Sequence, residues 1–151
     1  MTRGRAWARA GAVFAAVLAA DQLSKAIVRG GLAPGERRDV LPGLHLVRVR
    51  NEGLAFGILG GSRTWLVVLV VVAALGALLV FFARNVERRW AWLATGLLLG
   101  GAAGNILDRV ANGAVLDWIK LPHWPAFNLA DMAITAGVVA LVFAIDAPRD
   151  R

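Results

Sequence analysis

The sequence predicts an all-α polytopic membrane protein with four transmembrane helices and short strands in a link on one side. Its 151 residues are enough for about four spans of roughly 20 residues each. Hydrophobic residues make up 58% of the chain and the mean hydropathy is +0.63, above the range of soluble domains. We therefore expect a single membrane-embedded domain over residues 1–151. Its spans are expected near residues 7–28, 64–83, 90–109 and 127–145.

Composition and charge exclude several classes of function. The chain has no cysteine, so disulfides and thiolate chemistry are absent. His45 and His123 both fall in predicted loops, and no cluster has metal-ligand spacing, so we expect neither a metal nor a cofactor. The net charge of +7 does not indicate a nucleic-acid partner, because the arginines flank apolar segments, where membrane proteins place positive charge.

The first span begins with a basic segment followed by an apolar run. This pattern is also typical of a cleavable signal peptide. Against that alternative, Asp21 and Lys25 follow the run directly, and the apolar pattern resumes over residues 26–28. The two charged residues are one helical turn apart and can therefore pair.

Residues 29–62 form a link too long for a tight turn. Alternation over residues 44–50 predicts one or two short strands at the membrane surface, and Asn51 and Gly53 belong to a turn that ends them. The second span is the clearest, since residues 64–83 carry no charge.

The third span carries glycines at every fourth position. Gly96, Gly100 and Gly104 stripe one helix face and would let another backbone approach closely. Polar side chains close this span, and their spacing predicts that they share one face. They are Asn105, Asp108 and Arg109.

The second link and the start of the fourth span carry two further acids. Asp117 lies in a short segment expected to be extended, and prolines forbid a helix through the rest of the link. Asn128 is expected to cap the fourth helix, and Asp131 lies in its first turn, near the positive helix end.

Four spans bring the unusual polar residues to one side of the membrane. Asp21, Asp108, Asp117 and Asp131 all fall there, together with Asn51. Basic residues are equally numerous on the two sides, but those on the terminal side are packed into shorter segments. The positive-inside rule therefore predicts cytoplasmic termini and an outer polar cluster.

Paired carboxylates are the chemistry that remains. No serine or threonine has a histidine placed to activate it, and no phosphate-binding loop is present. Two close aspartates share a proton, so one can act as base on water and the other as acid. The residues thus predict aspartic peptide hydrolysis, but they do not choose between Asp108 and Asp117 as the partner of Asp131.

Five ordered motifs resemble the bacterial lipoprotein signal peptidase (signal peptidase II) family. They are Asp21-Gln-Leu-Ser-Lys25, Asn51-Glu-Gly-Leu-Ala-Phe56, Gly100-Gly-Ala-Ala-Gly-Asn-Ile-Leu-Asp-Arg109, Val115-Leu-Asp-Trp118 and Phe127-Asn-Leu-Ala-Asp131. The resemblance implies a four-span aspartic endopeptidase of the bacterial inner membrane, with a small β-like cradle on its outer face. It implies cleavage of a prolipoprotein signal peptide just before a diacylglyceryl-modified cysteine.

The resemblance also assigns roles to residues. Asp117 and Asp131 would be the catalytic pair, Asp108 would orient Arg109 or support the site, and Asp21 with Lys25 would brace it. The residues that would line the substrate channel are Asn51, Gly53, Asn105, Arg109 and Asn128. The expected partners are the diacylglyceryl-prolipoprotein and membrane lipid, and we expect the chain to act as a monomer.

Mild departures from the family pattern concern the shape of the substrate groove. They are Glu52, Leu54, Leu116 and Trp118. Two other classes of function fit these residues less well. A four-helix exporter would want an acid near mid-span, whereas these acids cluster at one edge. An assembly protein would explain the glycine stripe but not four acids on one side.

Overall fold

The computed structural model describes residues 2–52 and 64–146, with side chains of the second helix described from residue 69. The chain is rich in helix and carries one small antiparallel sheet, as the sequence predicted. In chain order the elements are α1 (Arg3–Gly31), β1 (Arg37–Leu41), β2 (Leu44–Asn51), α2 (Thr64–Arg84), α3 (Ala91–Asn112), β3 (Val115–Lys120) and α4 (Leu129–Asp146).

Helix α3 is the centre of the helical layer, because it packs against both α1 and α4. The glycine stripe makes the approach of α1 possible. A Cβ placed on Gly96 would lie 2.6 Å from the Cβ of Val13 and 2.7 Å from the carbonyl oxygen of Ala10. Gly101 meets the backbone of Ala130 in α4 in the same way. The predicted role of the stripe in close helix packing is confirmed.

The sheet has the order β1-β2-β3, and both pairs are antiparallel. In the second pair Val49 lies opposite Asp117, and Arg50 lies opposite Leu116. Strands β2 and β3 confirm the predicted extended segments. Strand β1 was missed, because all of its residues are exposed and it shows no apolar alternation.

Several boundaries differ from the predicted ones. Helix α1 is longer at both ends than residues 7–28. Helix α3 continues past Arg109 and ends at Asn112. Gly113 caps it, because a left-handed backbone (φ 72°) lets the Gly113 N–H donate to the carbonyl of Arg109. Helix α4 begins at Leu129 and not at Phe127, since Phe127 is still bridged to β3 through Ile119.

The two ends of the helical layer differ in chemistry. At the end away from the sheet, Arg3 donates to the carbonyl of Ala83 (2.9 Å), and Arg88 donates to the carbonyl of Ile145 (2.5 Å). Both contacts place positive charge at a helix C-terminus, where it is favourable. The polar cluster lies at the opposite end, beside the sheet.

Within the described ranges, α1 and α4 are long and apolar enough to cross a membrane. The described part of α2 contributes a shorter apolar segment, Leu69–Arg84. Helix α3 is less apolar, because it holds its glycine stripe and the polar side chains of Asn105 and Asp108. Large apolar side chains are exposed on the outer surfaces of the helices. Among them are Leu69, Val70, Val80, Val138, Val142 and Phe143.

The α1–α3 contact generates a stability prediction. A Cβ on Gly100 would lie 2.9 Å from the carbonyl oxygen of Phe14, and backbone cannot move aside cheaply. We expect Gly100→Ala to lower the free energy of unfolding by ~1–3 kcal/mol, measured by thermal unfolding in detergent. Gly76→Ala is the matched control, because among the described residues no atom outside its own helix backbone lies within 4 Å of the added Cβ. Equal stability of the two variants would contradict the contact.

Candidate active site

A cavity of about 320 Å³ lies where β2 and β3 meet α3 and α4. It contains Asp117 and Asp131, the acids of the fourth and fifth motifs, together with amide, arginine and aromatic side chains. Its lining residues are Asn51, Asn105, Arg109, Val115, Asp117, Trp124, Pro125, Ala126, Phe127, Asp131, Ile134 and Thr135.

Asp117 enters this cavity from the sheet. Its side chain is only 2% exposed, and it accepts hydrogen bonds from the amides of Asn51 (2.9 Å) and Asn128 (2.8 Å). The pKa of Asp117 is raised from 3.8 to about 6, chiefly by burial, because a desolvated carboxylate is costly. The nearby charge of Asp131 contributes to this rise, and the amide donors of Asn51 and Asn128 partly offset it.

Asp131 enters from the first turn of α4. Its backbone N–H donates to the side-chain oxygen of Asn128 (2.9 Å), and its carboxylate accepts the backbone N–H of Asn128 in return (3.2 Å). This reciprocal pair caps the helix and confirms the predicted cap. The other carboxylate oxygen accepts from the amide of Asn105 (2.8 Å). Both carboxylate oxygens of Asp131 are therefore held in place by hydrogen-bond donors at the N-terminus of α4.

Asn128 joins the two acids. Its side-chain amide donates to Asp117, and its backbone N–H donates to Asp131. The side chain is completely buried, and the same amide also approaches Asn105 Oδ1 (3.2 Å). One residue between β3 and α4 therefore fixes the orientation of both carboxyl groups.

A buried ion-pair network lies behind the cavity. Lys25 Nζ contacts Asp21 (2.8 Å), Asp108 (2.9 Å) and Asn105 Oδ1 (3.1 Å), and the lysine is fully buried. The predicted Asp21–Lys25 pair is thus confirmed. Asp21 also accepts the backbone N–H of Ala130 (3.0 Å), one residue before Asp131. The network therefore ties α1 to the segment that carries an acid of the cavity.

Asp108 belongs to this network and does not line the cavity. It pairs with Arg29 (2.6 Å) as well as Lys25, and it accepts the backbone N–H of Leu116 (3.1 Å). Asn105 and Arg109 do line the cavity. The predicted common face agrees with these contacts, because Asn105 and Asp108 both contact Lys25 while Asn105 and Arg109 both line the cavity. Asp108 lies on the side of α1, where Lys25 and Arg29 pair with it.

Comparison with known proteins assigns the family. The family model described as signal peptidase (SPase) II matches residues 13–146, most of the chain. The chain belongs to the signal peptidase II family. This is a family of proteases, and its members work by an aspartic mechanism.

Relatives and solved structures agree with this assignment. The chain is 41% identical over 133 residues to the lipoprotein signal peptidase of Moorella thermoacetica, covering 87% of this chain and 89% of the relative. It is 39% identical over 133 residues to that of Syntrophomonas wolfei, with the same coverage of each. A bacterial membrane enzyme solved by the in meso method at 2.3 Å resolution shares the fold with a TM-score of 0.83. The two are 31% identical over 90% of this chain and 86% of that one.

The structure brings most of the predicted site residues of this signal peptidase II family member together. Those in or beside the cavity are Asn51, Asn105, Arg109, Asp117, Asn128 and Asp131. Asp21, Lys25 and Asp108 form the network behind them. Gly53 lies outside the described residues, so its predicted place in the substrate channel stays a prediction.

Sequence reasoning missed the apolar part of the cavity and one cation of the network. Ile134 and Thr135 follow Asp131 by three and four residues, the spacing of one helix face, and that signal could have found them. Arg29 had no such signal, because its partner Asp108 is 79 residues away along the chain.

The raised pKa of Asp117 predicts a pH-dependent effect on stability. The folded protein binds this proton more tightly than the unfolded chain, so the carboxyl costs no stability below about pH 4. Stability is then lost as the pH rises toward about 6, by up to ~3 kcal/mol. Asp117→Asn removes this loss, so the melting temperature of the variant relative to wild type should rise between pH 4 and pH 7.

Thermal unfolding in detergent across that range tests this. Asp39→Asn is the control, because the pKa of that exposed carboxyl is lowered by His45 and Arg37, so it should not reproduce the shift. Parallel pH profiles for wild type and Asp117→Asn would show that burial does not perturb Asp117.

Proposed function

We propose that this chain removes the signal peptide from diacylglyceryl-modified prolipoproteins, cutting just before the lipidated cysteine, with Asp117 and Asp131 as the catalytic pair. The observation that carries the proposal is the shared donor Asn128, which holds both carboxyl groups in one cavity. Membership in the signal peptidase II family supports the reaction and the substrate class.

The two acids have different surroundings, and this suggests different roles. Asp117 is buried, and its raised pKa of about 6 lets it hold a proton in mildly acidic solution, where an ordinary aspartate has already lost it. Asp131 accepts hydrogen bonds from the side-chain amide of Asn105 and from the backbone N–H of Asn128. We assign Asp131 as the base that takes a proton from water and Asp117 as the acid that protonates the scissile carbonyl oxygen. When the tetrahedral intermediate collapses, Asp131 gives the proton that it took from water to the leaving amine as the C–N bond breaks. Asp117 takes back a proton from a hydroxyl of the intermediate, so both acids return to their starting states.

An apolar groove continues from the cavity along α4 and supports a lipidated substrate. A second cavity of about 410 Å³ shares Trp124, Phe127 and Asp131 with the first, and it extends to Met132 and Ala136. Acyl chains and an apolar signal peptide would bury hydrophobic surface there. Asn51, Gly53, Asn105, Arg109 and Asn128 are proposed to line the peptide path.

The remaining proposals concern the membrane. All four helices would cross the bacterial cytoplasmic membrane as one domain, with the spans close to α1–α4. The arginines at the end away from the sheet support cytoplasmic termini, which would put the cavity near the outer face. The exposed apolar side chains of the helices support direct contact with lipid, and we propose that the chain acts as a monomer.

Cleavage of a diacylglyceryl-modified prolipoprotein by the purified protein in detergent tests the assignment. Asp117→Asn and Asp131→Asn should each lower kcat/KM by ~10³-fold or more while remaining folded, because each removes one proton-transfer group. Asp108→Asn should keep measurable activity, because Asp108 does not line the cavity. Asp39→Asn, on the exposed edge of the sheet, is the control that should match wild type.

The outcomes separate the parts of the proposal. Normal cleavage by Asp117→Asn with a folded but inactive Asp108→Asn would refute the choice of Asp117. An inactive wild-type protein, under conditions where a relative cleaves the same substrate, would refute the substrate class.

The pH profile of kcat/KM tests the roles of the two acids. If Asp117 acts as the acid, activity should fall as the pH rises through about 6, where Asp117 loses its proton. Asn51→Leu removes a donor that stabilises the ionised form, so it should raise this pKa and move the alkaline limb to higher pH. An unmoved limb in a folded variant would mean that Asp117 does not set it.

A further inference from the structure

The two faces of the sheet line two different cavities, one acidic and one basic. Along β2, Asn51 faces the cavity that contains Asp117 and Asp131, while Arg48 and Arg50 face another cavity on the other side of the sheet. Strand β3 alternates in the same way, since Asp117 lines the acidic cavity and Leu116 lines the basic one. We call the basic cavity, which has a volume of about 170 Å³, the arginine cavity. Its lining includes Arg29, Arg48, Arg50, Asn112, Ala114 and Leu116.

Positive charge in the arginine cavity exceeds the negative charge around it. Arg29 is neutralised by Asp108 (2.6 Å). Arg50 donates to the carbonyl oxygen of Asn112 (3.0 Å). Its carboxylate contact within the described ranges, with Glu52, is long and largely exposed (3.8 Å). Arg48 is half-buried and has no carboxylate partner within residues 2–52 and 64–146. One of its terminal nitrogens, Nη1, donates to two carbonyl oxygens at the end of α1, those of Arg29 (3.0 Å) and Leu32 (2.9 Å).

The position of the arginine cavity suits a ligand at the membrane surface. It lies at the sheet ends of α1 and α3, where Arg29 and Asn112 belong to the last turns of their helices. Helices that cross a membrane end at headgroup level, so these ends would lie beside phospholipid phosphates. Ala114 and Leu116 give the cavity a buried apolar floor.

We propose that the arginine cavity binds a phosphate group, presented by the headgroup of an anionic phospholipid. Guanidinium groups match phosphate geometry and can donate two parallel hydrogen bonds. Arg48 is the central contact, because its guanidinium is oriented by the α1 carbonyls and lacks a carboxylate of its own. Arg50 is the second contact, at the mouth of the cavity. Free phosphate shares this chemistry and is the alternative source of the ligand.

Direct binding to the full-length protein in neutral detergent tests the proposal without relying on proteolysis. Binding is measured by titration with three probes: short-chain phosphatidylglycerol, short-chain phosphatidylcholine and inorganic phosphate. Wild type should bind phosphatidylglycerol in preference to the other two. Arg48→Gln and Arg50→Gln should each weaken that binding by ~10-fold or more, because each removes a charge-assisted contact. Arg48→Lys should restore part of it.

Arg37→Gln is the matched control. It removes the same charge from the same sheet, but Arg37 lies on β1 with Asp39 and His45 as partners, away from the arginine cavity. Its affinity should stay within about twofold of wild type. Thermal unfolding of each variant identifies any that fail to fold, and Arg50→Gln is informative if Arg48→Gln does not fold.

Each outcome decides between sources or rejects the site. Equal binding of inorganic phosphate and phosphatidylglycerol, both weakened by Arg48→Gln, would keep the phosphate site and reject the lipid as its source. Unchanged phosphatidylglycerol binding by folded Arg48→Gln and Arg50→Gln would overturn the proposal. Arg48 would then serve only to cap the carbonyls of α1. Loss of peptidase activity in any variant has no bearing on these results.

Discussion

The buried ammonium of Lys25 is the interaction on which the arrangement of the two acids depends. It contacts the carboxylates of both Asp21 and Asp108, and all three side chains are almost completely buried. Each of these carboxylates also accepts a backbone N–H beside an acid of the cavity, from Ala130 and from Leu116. Removing the lysine would leave the buried carboxylate of Asp21 with no cation among the described residues and Asp108 with Arg29 alone. Deleting one partner of a buried ion pair costs roughly 3–5 kcal/mol. The network thus fixes both acid-bearing segments to α1.

This network requires α1 and α3 to approach closely, and the glycine stripe makes that approach possible. Gly104 packs directly against the carboxylate of Asp21, so any Cβ there would collide with it. Gly96 and Gly100 extend the same contact along the helices. The ion-pair network therefore depends on the close packing of the helices. A larger residue in the stripe would separate Asp21 from the backbone of Ala130, to which it is hydrogen-bonded.

Local spacing explains which parts of this arrangement the sequence could predict. The Asp21–Lys25 pair is four residues apart on one helix, so it could be predicted. The cap formed by Asn128 on α4 is likewise a matter of adjacent residues. The contact between Lys25 and Asp108 joins positions far apart in the chain, and only the helix packing brings them together. The choice of Asp117 as partner of Asp131 came from the family resemblance, because no spacing rule relates a strand to a following helix.

The different origins of the two acids explain how their charges can be divided. Asp131 comes from a helix N-terminus, where capping supplies donors to a carboxylate without any special arrangement. Asp117 comes from the inner face of a short strand, where burial favours the protonated form and the amide donors limit that effect. Two neighbouring carboxyls in identical surroundings would compete equally for one proton. A strand and a helix end, joined by Asn128, give them unequal surroundings, and a proton can then reside on one acid while the other stays charged.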